Sequence, residues 1–252
     1  MSFGVFWGLV CGGVRVLAVG DVHSPDYLSL YVDSIRRVSE RVDAVLWAGD
    51  MVRRGRVEAL EPVLRVTREV FPGVPIVSVF GNEEYMGLED EFRKRYREVI
   101  WVDDDYVVLD VGECRLGVVG TRGALERPTR WQRKNMPELW RVYRERPKRI
   151  ERLVVEARGR ADIVVLLSHY TVGFETARGE PSHALPEMGS RAMAEAVRRA
   201  KPDAVFHGHA HRATVLETRI DGVPVYNVAL PARKNVYVGM VRRVRRGLEE
   251  FF

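Results

Sequence analysis

Cysteine is nearly absent from this chain: Cys11 and Cys114 are the only two in 252 residues. Without metal-site spacing they exclude a zinc knuckle or a disulfide framework, and a cytoplasmic location becomes the expectation. Whether the two pair stays open. Long apolar runs are lacking too. The stretch at residues 3–10 is too short to cross a bilayer and has neither the basic leader nor the cleavage site of a secretory signal. No membrane partner is expected. Lysine is scarce, with 5 residues against 35 arginines among the 40 basic side chains. A guanidinium grips oxyanions bidentately, so the bias permits phosphate recognition, although solvated helix faces or general composition explain it as well. The net charge of +5 is only mildly basic, and no Lys/Arg tract stands out. Nucleic acid is therefore a permitted partner, not an indicated one. Repeats, low-complexity segments and Gly/Ser linkers are missing as well. One α/β domain over 1–252 is the economical reading, with 1–13 readable as an N-terminal extension. Nothing in the composition fixes an oligomeric state.

What is present is alternation. Residues 14–20, 44–48, 75–80, 163–167 and 204–206 read as buried strands. Helices are expected over 26–42, 57–70, 90–99, 137–158 and 190–199, the fourth broken where Pro147 falls. Such alternation implies parallel strands with crossover helices. Residues 106–110 and 115–119 suit a hairpin turned at Gly112-Glu113. Asp221-Gly222 turns a second, and a last strand is expected over 236–241. Residues 121–135 and 171–186 read as loops.

Five of the apolar runs end in metal-ligating residues: Asp21-Val22-His23, Gly49-Asp50, Gly81-Asn82-Glu83-Glu84, Ser168-His169 and Gly208-His209-Ala210-His211. An α/β sheet presents its ligand-binding loops at such strand ends. Oxygen and neutral imidazole donors suit manganese, iron or zinc. Residues i and i+2 of extended backbone point the same way, so Asp21 and His23 reach one cation together; His209 and His211 do so across a tighter turn. Asp50 follows a glycine, which lets backbone crowd an ion, and its two oxygens can bridge cations about 3.5–4 Å apart. Seven ligands with Asp50 shared make two sets of four and leave positions for water and substrate. A pair of cations so held lowers the pKa of a bridging water and grips phosphate oxygens during in-line attack, which is phosphoester hydrolysis.

The order D-x-H, G-D, G-N-x-E, H, G-H-x-H, spread from about residue 14 to 211, resembles the calcineurin-like metallophosphoesterase superfamily. The resemblance implies a four-layer α/β/β/α sandwich with two central mixed sheets, the C-terminal strands completing the second. It implies that Asp21, His23, Asp50 and His211 hold one divalent ion and Asp50, Asn82, His169 and His209 the other. Manganese is expected first, with iron, zinc or nickel as alternatives. Asp50, Asn82, Glu83 and His169 are the catalytic candidates.

Many members carry His after the motif's Asn, where it protonates the leaving group or contacts the phosphate; this chain has Glu83. A carboxylate beside two dications stays ionised and repels a dianionic monoester more than a monoanionic diester. Glu84 matches the acid that normally orients that His, and its role is left open. Arg54, in the stretch Gly49 to Gly55, resembles the phosphate-gripping Arg of the protein Ser/Thr phosphatase branch, although Arg53 stands where that branch has Asp. Arg122 and Tyr170 are further substrate-binding candidates. Arg122, Arg127, Arg130 and Trp131 make a basic, aromatic loop able to cap a substrate or stack a base. His183 either supplies the missing acid or is incidental, and His207 packs beside the metal pair. The expected function is a dinuclear metal-dependent phosphodiesterase in which a metal-bridging hydroxide attacks phosphorus. A nuclease and a non-catalytic metal-binding scaffold are the alternatives.

Overall fold

Continuous apolar strands need cover on both faces, and the fold supplies it. The structure is a computed structural model, described over residues 11–244. Residues 1–10, most of the expected N-terminal extension, lie outside the described part.

Strands β1 (Val14–Val19), β2 (Ala44–Trp47), β3 (Ile76–Ser78) and β4 (Val99–Trp101) run parallel in the first sheet. The second sheet takes β5 (Asp105–Val111), β6 (Cys114–Thr121) and β7 (Ile163–Ser168). A small pair, β8 (Thr171–Val172) and β9 (Gly189–Ser190), stands apart. The second sheet continues with β10 (Ala204–His207), β11 (Glu217–Ile220) and β12 (Val223–Asn227), giving the order β11-β12-β10-β7-β6-β5. The last strand, β13 (Tyr237–Val241), pairs antiparallel with β1 at the edge of the first sheet. The expectation that all C-terminal strands complete the second sheet is corrected there. β11 and β12 do so through the Asp221-Gly222 hairpin, while β13 crosses back.

Helices α1 (Leu28–Ile35), α2 (Glu61–Val70) and α3 (Glu89–Arg95) belong with the first sheet; α4 (Arg130–Asn135), α5 (Leu139–Arg158) and α6 (Arg191–Ala200) belong with the second. A short α7 (Leu230–Arg233) precedes β13. Strand alternation sorts the core into three layers. Leu17, Val45 and Trp47 pack with Tyr31, Ile35 and Leu60 on the outer side of the first sheet. Val16, Ala18 and Leu46 meet Val118, Val165, Leu167 and Phe206 between the sheets. Val164 and Leu166 pack on Ile150, Val154 and Val197 beyond the second sheet. The result is the α/β/β/α sandwich with two mixed sheets.

Several elements depart from their expected bounds. The first helix stops at Ile35 because the chain leaves it through three-residue turns, Arg37 N–H to Ser34 O and Val38 N–H to Ile35 O, both 3.2 Å. The expected break at Pro147 does not occur. Leu139, Tyr143, Ile150, Leu153 and Val154 are buried on both sides of it, so packing holds α5 together across the missing hydrogen bond. Val99, expected to end a helix, instead opens β4, and 130–135 are helical instead of loop. Cys11 and Cys114 form a disulfide, with Cα atoms 5.0 Å apart. It ties the approach to β1 to the start of β6, at the opposite end of both strands from the loops that carry the candidate metal donors. Among the described residues no helix is long and apolar enough to cross a membrane.

Candidate metal centre

All seven predicted ligands converge in the crevice between the carboxyl ends of the two sheets. Asp21 and His23 follow β1, Asp50 follows β2, Asn82 follows β3, His169 follows β7, and His209 and His211 follow β10. Two groups of donor atoms, each within 4.8 Å of one another, form: Asp21, His23 and His211, and Asp50, His169 and His209. Asn82 joins the second, its Oδ1 lying 3.0 Å from His169 Nε2. Asp50 Oδ2 lies between the groups, 3.7 Å from His23 Nε2 and 3.5 Å from His169 Nε2. His211 Nε2 sits 2.8 Å from Asp21 Oδ1 and 3.4 Å from His23 Nε2.

The backbone reaches this geometry by a route other than strand alternation. Asp21 (φ 59°), His23 (φ 42°), Asp50 (φ 50°) and His209 (φ 69°) all sit in the left-handed region. Asp21 and His23 therefore face one point because the chain turns there, and the extended-backbone explanation is corrected. Non-glycine residues in that region carry strain that only a well-determined surrounding can hold, and such residues cluster at functional sites. Two glycines make room. A Cβ on Gly81 would collide with Asp50 Oδ1, and one on Gly208 with Asp21 Oδ2.

Glu84 is the side chain that holds the first sheet's loops. Its buried carboxylate accepts from the backbone N–H groups of Asp50 (2.7 Å), Met51 (2.8 Å), Val52 (3.2 Å) and Gly81 (2.7 Å). The role left open by the sequence is thus to clamp the Asp50 loop to the Asn82 loop. Glu83 works next to it: its N–H donates to Asp50 Oδ1 (2.7 Å) and its Oε2 accepts from Arg54 N–H (2.5 Å). The exposed Arg54 guanidinium has no partner among the described residues; its backbone N–H is what ties it to Glu83 beside the site.

Arg122 borders the site, and three of its five N–H donors are turned to the protein. It is 3% exposed and donates to the Gly81 carbonyl, to the Glu84 carbonyl (2.9 Å) and to Glu89 Oε1 (2.6 Å). As placed, it braces the Asn82 loop. Tyr170 is buried, with its ring edge-on to His209 at 4.9 Å. His207 is enclosed, 2.6 Å from Thr176 Oγ1 and 2.9 Å from the Gly208 carbonyl, outside both donor groups. His183 is exposed on its loop and borders neither donor group.

The electrostatics are those of a cation receptor. Burial and the neighbouring Asp21 charge push Asp50 up to about 7. Burial works against protonating His23, yet its hydrogen bond to Asp21 and the charges of Asp21, Asp50 and Glu83 outweigh that and raise it to about 9. Burial, with the nearby His169, drives His209 down to about 3, so its imidazole is neutral and a lone pair is available. His169 Nδ1 lies 2.9 Å from the Ala48 carbonyl, which only accepts; Nδ1 therefore carries the proton and Nε2 a lone pair. That lone pair faces Asn82 Oδ1 at 3.0 Å, two acceptors converging on one point. A cation fits such a set, and competes for lone pairs that otherwise attract protons.

The fold and this donor set together define a metal-dependent phosphoester hydrolase. The chain belongs to the calcineurin-like phosphoesterase family, whose model matches residues 14–213. No curated protein matches it. Among solved structures it is similar to the phosphopantetheinyl hydrolase of Mycobacterium tuberculosis, at 15% identity and a TM-score of 0.59, over 89% of this chain and 92% of that one. A hypothetical protein of Thermus thermophilus is 21% identical, with a TM-score of 0.55 over 84% of this chain and 75% of that one. The 5′-nucleotidase precursor of the same organism is 15% identical, with a TM-score of 0.53 over 85% of this chain and 48% of that one. Likeness at these identities carries the fold alone.

Proposed function

We propose that the protein is a phosphodiesterase working with two divalent cations, manganese first among them. The reading rests on one observation above the others: Asp50 Oδ2 lies 3.7 Å from His23 Nε2 and 3.5 Å from His169 Nε2, a single carboxylate oxygen placed between two donor sets. When bound, such cations supply Lewis acidity, lowering the pKa of a water and offsetting charge on phosphoryl oxygens. The chain's own residues do the rest. Asp21 and Asp50 set the negative potential that draws cations in. The left-handed turns aim the donors before any ligand arrives, which limits reorganisation at the moment of reaction. Arg54, anchored through its N–H on Glu83, offers an unpartnered guanidinium for a non-bridging oxygen.

Glu83 supports the choice of ester. It places a carboxylate where a second negative charge on phosphate would be repelled, and it offers no imidazole proton to a poor leaving group. Diesters and activated leaving groups follow. The test is Mn²⁺-stimulated hydrolysis of bis(p-nitrophenyl) phosphate against p-nitrophenyl phosphate. The diester is expected to have the higher kcat/KM, Asp50→Ala to bring both rates to background, and Glu83→His to shift the ratio toward the monoester. A faster monoester in the unaltered protein contradicts the diester assignment; full activity in Asp50→Ala contradicts the shared-carboxylate site.

A further inference from the structure

Beside Asn82 and His209 opens a cavity of about 800 Å³, within the size range of small-molecule sites. It lies between the Asn82 loop and the segment from Arg122 to Met136. Its deeper wall is apolar, built by Met86, Leu125, Met136 and the Tyr170 ring. Its mouth carries Tyr85, 45% exposed, and Trp131, 63% exposed on α4. Six large apolar side chains stand exposed among the described residues, and two of them flank this one opening. Exposing large aromatic surface is unfavourable unless something covers it, and here it adjoins the reacting centre.

Much of the polar capacity of the deeper wall is already used within the protein. Gln132 Oε1 accepts from Thr129 N–H (2.9 Å) and its Nε2 donates to the Tyr143 hydroxyl (3.0 Å). The Thr129 hydroxyl accepts from Gln132 N–H (3.2 Å), and the three oxygens described above take three of the five N–H groups of Arg122. A nucleobase edge buried against such a wall would replace only part of its lost water partners, which is costly. The charges at the mouth do not favour a further anion either. Glu83 is acidic, and Glu187 is matched by Arg127 (3.1 Å) and Arg133 (3.6 Å).

We infer that the cavity receives a large, uncharged apolar substituent of the phosphoester whose phosphoryl group lies over the metal donors. The protein then selects hydrophobic phosphodiesters over nucleotide-derived ones, with Trp131 stacking on the substituent at the mouth. This assignment rests on the hydrolase reading and adds the substrate class to it.

The test is kcat/KM, with Mn²⁺, for p-nitrophenyl diesters whose second group is methyl, phenyl or thymidine-5′-yl. The phenyl ester is expected to exceed the methyl ester by about tenfold or more, and the thymidine ester not to exceed the methyl one. Trp131→Ala should narrow the phenyl-to-methyl ratio to about threefold, and Trp131→Phe should largely restore it. Calorimetry supplies a readout without turnover: methyl phenyl phosphate is expected to bind about tenfold tighter than dimethyl phosphate, and Trp131→Ala to remove most of the difference. Equal rates and affinities for phenyl and methyl compounds, or a preference for the thymidine ester, overturn the cavity's assignment while leaving the hydrolase reading intact. Trp131-dependent binding without hydrolysis of any ester does the reverse. Neither binding nor hydrolysis overturns both.

Discussion

The two sheets bring unlike halves to one site. The first supplies both carboxylates of the candidate donor set, Asp21 and Asp50, with His23 and Asn82 beside them; the second supplies imidazole alone, His169, His209 and His211. Three of the first half's four donors sit at positive φ, against one of the second half's three. Glu84 braces the first half through four backbone N–H groups, whereas His169 needs only the Ala48 carbonyl. Burying two carboxylates near each other is expensive, and burying neutral imidazoles is cheap. On the proposed reading the first half trades stability for cation affinity, and the second frames it. The sheets are joined by the site at one end and by the Cys11–Cys114 disulfide at the other.

The sharpest way to break this contrast is to remove the brace. Glu84→Ala leaves the backbone donors of Asp50, Met51, Val52 and Gly81 without their acceptor, and should cost about 4 kcal/mol or more in denaturant unfolding. Hydrolysis should fall about 10–100-fold as the Asp50 loop loosens. A Glu84→Ala protein of undiminished stability would show that the loops hold themselves.

The next test compares the halves by pH, on metal-free protein. Asp50 is pushed up to about 7, so between the ordinary carboxylate range and that value the folded state holds a proton the unfolded chain has released. Its contribution falls as pH rises through that window. Relative to Asp50→Asn, the wild-type protein should lose a few kcal/mol between about pH 4 and pH 7. His207, in the second sheet, is driven down to about 4 by burial, so there the unfolded chain binds the proton. Relative to His207→Gln, wild-type stability should be lost as pH falls from about 6.5 toward 4, by roughly 3 kcal/mol. Unfolding curves across that range check both, and equal signs would erase the distinction between the halves.

The smallest effect on the site is expected at the far end. The disulfide closes a sequence separation of 103 residues, so Cys114→Ser should lower stability by about 2–4 kcal/mol. The rate of diester hydrolysis should stay unchanged. A large loss of rate would mean that the sheets are positioned by the disulfide and not by their packed core.

The converging donor side chains were legible in the sequence because each group is announced locally, by an apolar strand ending in Gly or Ser and a donor. The layer order followed from the resemblance those fragments carry, not from any pattern within one strand. What stayed hidden was non-local or brief. β4 is three residues long and begins shortly after α3 ends, so its first residue, Val99, read as the end of that helix. α4 has no apolar period; its signal was the Thr129 and Gln132 capping box, which went unread. The partner of β13 lies more than two hundred residues away, across the fold. Glu84 was visible as an acid in the motif, but its four N–H partners are assembled only when the Asp50 and Asn82 loops meet.

Anomalous diffraction from Mn²⁺-soaked crystals tests the shared carboxylate most directly. The account predicts two ions about 3.5–4 Å apart with Asp50 Oδ2 bound to both, and a single ion at most in Asp50→Asn. One ion in the wild-type protein, or two ions that do not share Asp50, would contradict it.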